Sequence, residues 1–204
     1  MNEGQPDSDV ARNLANAYLM ELEANCNIFL RAWNEVRDEA RRPPGAGPDD
    51  VAQMATRRWT YGLWRHAYTM IEAAWRMSRI LWEVPGNKRF REHFHLPTGA
   101  ALKPSYLRGI RNALEHMETR IPEFIEMNSG KYLSGWSATN NPHDRATPER
   151  VRLRYLNVYS FACAVYDRAG EQTCDFGLVA KAVQALNMGL PRVGGTRTVL
   201  KLPP

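Results

Sequence analysis

DVAQMATRRWTYGLWRHAYTMIEAAWRMSRILW, residues 50–82, is the stretch whose reading decides the fold. One apolar stripe runs Val51, Ala55, Trp59, Leu63, Met70, Ala74, Met77 and Leu81. A second runs Tyr61, Trp64, Tyr68, Ile71, Trp75 and Trp82. Both repeat at helical spacing, so the stretch predicts one long helix with two apolar sides. Such a helix is buried on two sides. It is either the centre of a bundle, or its aromatic stripe packs on a second copy of the chain. A large apolar patch is not left open on a monomer, so a homodimer through helix two or helix three is expected. His66 lies beside the stripes and reads as a hydrogen-bonded core residue.

Upstream, "RRPPGAGPDD" (41–50) breaks a preceding helix, and Asp49 or Asp50 caps the next. The preceding helix begins at Ser8 or Asp9 and carries Val10, Leu14, Tyr18, Leu22, Phe29, Trp33 and Val36 at helical spacing. Residues 1–8 read as a frayed tail. Downstream, "VPGNKRFREHFHLPTGAALKP" (84–104) reads as a basic connection with prolines at 85, 97 and 104. Its H-x-H pair, His93 and His95, has no third residue spaced to complete a metal site. A third helix is expected over 104–128, with Tyr106, Ile110, Leu114, Met117, Ile121, Phe124 and Ile125 facing the core.

Residues 131–150 read as a loop. "VRLRYLNVYS", "ACAVYD" and "QTCDF" then alternate like strands around a turn at "RAGE". A short helix over 178–189 closes at Gly189, and 191–204 read as an irregular tail. The expected architecture is mainly α: a bundle of long helices over 9–130, with a small β-meander and a terminal helix over 151–190 as an appendage.

With 204 residues the chain is long enough for one cored domain. The N-terminus has no apolar segment of the secretory kind, and no run approaches a membrane span. Cys26, Cys163 and Cys174 fit neither a disulfide framework nor a zinc pattern, so a reducing, cytoplasmic setting is expected. Net charge is +5, and 22 of the 27 basic residues are arginine, whose planar fork suits phosphate. A solvated arginine-rich surface explains the same numbers. No Gly-rich phosphate loop follows a strand, and there is no nucleophile elbow and no cofactor motif.

The chemical candidate is "RGIRNALEHMETRIPEF" (108–124). At about 100° per residue, with Ile110 facing the core, Arg111, Glu115, Asn112 and His116 fan across the outward side of the helix. Arg111 and Glu115 are one turn apart, as are Asn112 and His116. An arginine neutralises a phosphate, and a histidine takes or gives a proton near neutral pH. The bland alternative is a solvated face whose polar pairs support the helix. Arg89…His95 matches the same loose spacing within the basic connection.

"RNALEHMETR" resembles the signature of the HEPN superfamily: an arginine, a polar residue that is often asparagine, then a histidine after four to six intervening positions. The likeness spans roughly residues 8–128. It implies a bundle of four or five helices and, in active members, a metal-independent endoribonuclease with two motifs facing each other across a dimer. By that resemblance His116 moves the proton, Arg111 stabilises the pentavalent phosphate, Asn112 orients, and a 2′,3′-cyclic phosphate is left. Such proteins occur in toxin–antitoxin and phage-defence systems, so RNA and an antitoxin or regulatory protein are the expected partners, without cofactor, metal or membrane. Glu115 is a supporting residue, and Arg108, Arg120, Arg89 and Arg91 are expected to contact RNA. Other members are inactive binding or scaffold domains, which is the alternative reading. Glu118 stands where one toxin branch carries a modified tyrosine.

Overall fold

Two helices of 33 residues each, α1 (Ser8–Ala40) and α2 (Asp50–Trp82), form the long arm of the fold. The computed structural model describes residues 8–45, 49–115, 137–139, 154–167 and 170–191. Asp49 caps α2, its Oδ1 accepting from the Ala52 amide at 2.7 Å. Cys26 meets Met77 while Glu39 meets His66, so the numbering falls on one helix as it rises on the other. The helices are therefore antiparallel. Their shared interface buries Leu22, Phe29, Leu30, Leu63, Trp64, Met70 and Met77 completely.

Both stripes of α2 go inside, but only from Leu63 onward. Val51 is 78% exposed and Tyr61 56%, so the first turns of α2 stand clear of the core. Val10 and Leu14 at the start of α1 are exposed in the same way. Within one chain the bundle covers Trp64, Ile71 and Trp75 of the aromatic stripe, while Tyr61 on the same stripe stays exposed. α1 packs along α2, and elements later in the chain pack on both of these helices.

The connection after α2 is more ordered than its prolines suggest. Asn87–His93 form a short helix, α3, entered through Gly86 at φ 77°. A 3₁₀ turn (Ala100–Leu102) leads into α4 (Pro104–Glu115). Proline at the first helical position lacks only an amide that would have no intrahelical partner. Leu107, Ile110, Ala113 and Leu114 are the buried side of α4. The remainder of the expected third helix lies outside the described residues.

The sheet has the order β1-β2-β3-β4, with β1 (Ser137–Thr139), β2 (Arg154–Asn157), β3 (Ala162–Asp167) and β4 (Gly170–Asp175). β2, β3 and β4 form the expected antiparallel meander. β1 pairs parallel to β2, within a segment whose composition reads as loop. Asn157 shapes the β2–β3 turn, its Oδ1 accepting from the amides of Tyr159 (2.9 Å) and Ser160 (3.2 Å). α5 (Phe176–Gly189) follows β4 directly and is capped by Asp175, whose Oδ1 accepts from the Leu178 amide.

Sheet and α5 are not an appendage. Leu156, Cys163, Val165, Cys174, Phe176 and Val183 belong to the same hydrophobic core as α1, α2 and α4. The chain is thus a mainly helical bundle with a small four-stranded sheet and a terminal helix closing one core. No helix among the described residues is long and apolar enough to cross a membrane.

Gly189 is needed for that closure, because a Cβ there would lie 2.5 Å from Cδ of Pro97. Gly189→Ala is expected to cost about 1–3 kcal/mol by overpacking, read from chemical denaturation. Gly45→Ala, with nothing within 4 Å of the added carbon, is the control and should show no such loss.

Candidate nucleic-acid interface

Arg111 projects from α4 onto the last turns of α2. Its guanidinium carbon lies 5.6 Å from the ring centre of Trp75. Glu115, one turn on, grips it with both oxygens: Oε1 accepts from Nη2 at 2.5 Å and Oε2 faces Nη1. A cation–π contact and a two-pronged carboxylate together hold the fork in one orientation. Arg111 remains about a quarter exposed. Asn112 stands beside it, half-buried. His116 and Arg120 lie outside the described residues.

More cations line the same end of α2. Arg108 donates to Glu83 at 2.8 Å, and Arg79 approaches the other oxygen of Glu83 at 3.6 Å. Trp82 carries Arg91 at 4.1 Å and Lys103 at 5.6 Å from its ring centre. Five cations therefore share this strip with two carboxylates, Glu83 and Glu115, leaving a surplus of positive charge beside two tryptophans. Cations interleaved with aromatic rings match what a single-stranded polyanion needs: charge for phosphates and flat surfaces for bases.

Sequence reading placed Arg111, Asn112 and Glu115 together correctly but did not assign Trp75, Arg79, Trp82 or Lys103 to the site. The signal was present in "WRMSRILW" (75–82), where two tryptophans two turns apart flank an arginine on one face. Arg91, one of the cations of the strip, also has a structural bond. It donates from Nη1 to the Leu81 carbonyl and to Asn87 Oδ1 (3.0 Å), so it ties α3 to the end of α2. Arg89 points elsewhere, into a groove between α1 and α3. His95 follows α3 at φ 49°, so the Arg89…His95 match is not fixed on one helix face.

Other polar groups sit inside the fold. His66 is buried between two α1 carboxylates, with Nδ1 2.9 Å from Glu35 and Nε2 3.3 Å from Glu39. A ring facing a carboxylate at each nitrogen donates to both only when both nitrogens carry hydrogen. The carboxylates lie on opposite edges of the ring, the arrangement of a helix-to-helix tie. Among the described residues no group of three or more His, Cys, Asp or Glu is placed to hold a metal ion. Cys163 and Cys174 face each other directly across β3 and β4 in the core. Burial, reinforced by the neighbouring Cys174 thiol, pushes the Cys163 thiol well above its ordinary range, which makes it a poor nucleophile. Tyr106 is also raised, mainly by burial, while its hydroxyl accepts from the Asp175 amide.

A groove of about 910 Å³ lies near the start of α2, between Arg42, Val51, Met54 and Trp59. Trp75 is about 21 Å further along the helix axis from Tyr61 at standard rise, so this groove is separate from the Arg111 strip. Compared with known protein families, curated proteins and solved structures, the chain matches none of them.

Removing the His66 ring takes a partner from Glu39, one of whose oxygens is already buried without a partner among the described residues. His66→Ala is expected to cost about 1–3 kcal/mol, the typical penalty for stranding a partly buried polar group. Urea denaturation at neutral pH checks it, and an unchanged midpoint would remove the tie from the account.

Proposed function

We propose that the chain is a HEPN-type, metal-independent endoribonuclease acting in the cytoplasm at a composite site on a homodimer. One observation carries the reading. Arg111 is held outward on α4 by Trp75 and Glu115, beside Asn112 and within a positively charged strip. In sequence His116 follows Asn112 by four positions. Here the RNA 2′-hydroxyl attacks the adjacent phosphorus, and His116 accepts its proton. The bond to the 5′-oxygen breaks, and that oxygen takes a proton from the second motif of the dimer. Arg111 offsets the charge gathering on the phosphate oxygens, and a 2′,3′-cyclic phosphate remains. A regulatory or antitoxin protein would act by covering the strip, in keeping with a toxin or phage-defence role.

A second reading, a catalytically silent RNA-binding scaffold, is favoured by one detail: Glu115 already satisfies the fork of Arg111. Cleavage of labelled single-stranded RNA in excess EDTA separates the two. His116→Ala is expected to lower single-turnover cleavage by about 10²–10⁴-fold. Arg111→Ala should lose on the order of 10²–10³-fold. Cleavage by His116→Ala at the wild-type rate overturns the ribonuclease reading, and RNA binding without any cleavage selects the scaffold.

Glu115 tunes the electrostatics in either case. Glu115→Gln releases the Arg111 fork and removes one negative charge from the strip. RNA affinity should rise at low salt, and the slope of log K against log salt should steepen by about 0.7, the value for one further phosphate on a single strand. A titration series in KCl measures both.

A further inference from the structure

We propose that the groove between α1 and α3 is a base-binding subsite for single-stranded RNA, an inference that rests on the RNA reading above and narrows its substrate to unpaired strands. The groove holds about 510 Å³, within the range of roughly 300–1,000 Å³ typical of ligand pockets. Leu14 and Tyr18 from α1 form one wall, and Phe90 from α3 with Phe94, the residue that caps its C-terminus, the other. The rings pack edge to face, Tyr18 on Phe90 at 5.7 Å and Phe90 on Phe94 at 5.2 Å. A flat ring entering here meets aromatic surface on both helices.

The helical period of α3 sets charge beside that surface. Phe90 and Phe94 are one turn apart on one edge, and Arg89 and His93 are one turn apart on the next. Neighbouring cations are engaged: Arg12 with Asp9, Lys88 with Glu92, and Arg91 with the end of α2. Arg89 is exposed, lines the groove and forms no ion pair with the described residues. An aromatic slot with an uncommitted guanidinium at its rim fits a base together with its own phosphate. A base paired in a duplex cannot enter, because only an unstacked base presents its faces.

The test uses the full chain carrying His116→Ala, so that RNA stays intact, and a single-stranded RNA octamer with one 2-aminopurine. Binding should quench the 2-aminopurine, which reports stacking. Adding Arg89→Glu or Phe94→Ala should weaken binding by about 5- to 150-fold, the equivalent of ~1–3 kcal/mol per stacked base, and abolish the quench. Arg89→Glu alters an exposed side chain and should keep the parent melting temperature, which covers the case of Phe94→Ala failing to fold. Duplex RNA should bind the Phe94→Ala variant as tightly as the parent. An unquenched probe, or variants that bind the single strand as the parent does, overturns the subsite. If wild-type protein cleaves nothing while quenching and its loss in the variants persist, the ribonuclease reading falls and the subsite stands.

Discussion

The antiparallel pairing of α1 with α2 is the constraint on which the other elements depend. It fully buries Phe29 and Leu30 of α1 and Leu63, Trp64 and Met70 of α2, and leaves the far side of α2 apolar. That far side must be covered, and the chain covers it with α4 and β1, while α5 packs on α1 and the 3₁₀ turn within the same core. Full burial of each such side chain contributes about 1.5–3 kcal/mol, so the two faces of α2 outweigh any single polar contact in the molecule. His66 adds position rather than bulk. It ties α1 to α2 through Glu35 and Glu39 near the point where the core ends and the free helical turns begin.

The strip around Arg111 is a by-product of the same packing. α4 buries Leu107, Ile110 and Leu114 against the bundle, which forces Arg108 and Arg111 to lie over the last turns of α2. Trp75 and Trp82 then become platforms for cations instead of purely core residues. Glu83 and Glu115 keep these cations ordered while neutralising part of their charge. Surface ion pairs of this kind are worth at most about 1 kcal/mol, so a polyanion offering several phosphates can compete for the arginines. The buried thiols of β3 and β4 contrast with this strip, since burial removes Cys163 and Cys174 from chemistry.

Local signals decided much on their own. Helical periodicity defined α1, α2 and the side of α4 that faces inward, because an apolar residue every third or fourth position has one stable burial. Asp49 and Asp175 cap helices because short carboxylates satisfy free amides. Alternation marked β2, β3 and β4, and the one-turn spacing of Arg111 and Glu115 made their pairing legible before any fold was known.

Only the tertiary structure decided which apolar residues have something to pack on. Val51, Leu63, Tyr61 and Trp64 lie on the same two stripes, yet Leu63 and Trp64 are buried while Val51 and Tyr61 are exposed, because the bundle ends before the first turns of α2. It likewise decided that Trp82 serves as a stacking platform, that Arg91 faces inward while Arg89 rims a groove, and that β1 joins the sheet. Each depends on residues far apart in the chain being brought together, and spacing along a sequence carries only the geometry of neighbours within one helix or strand.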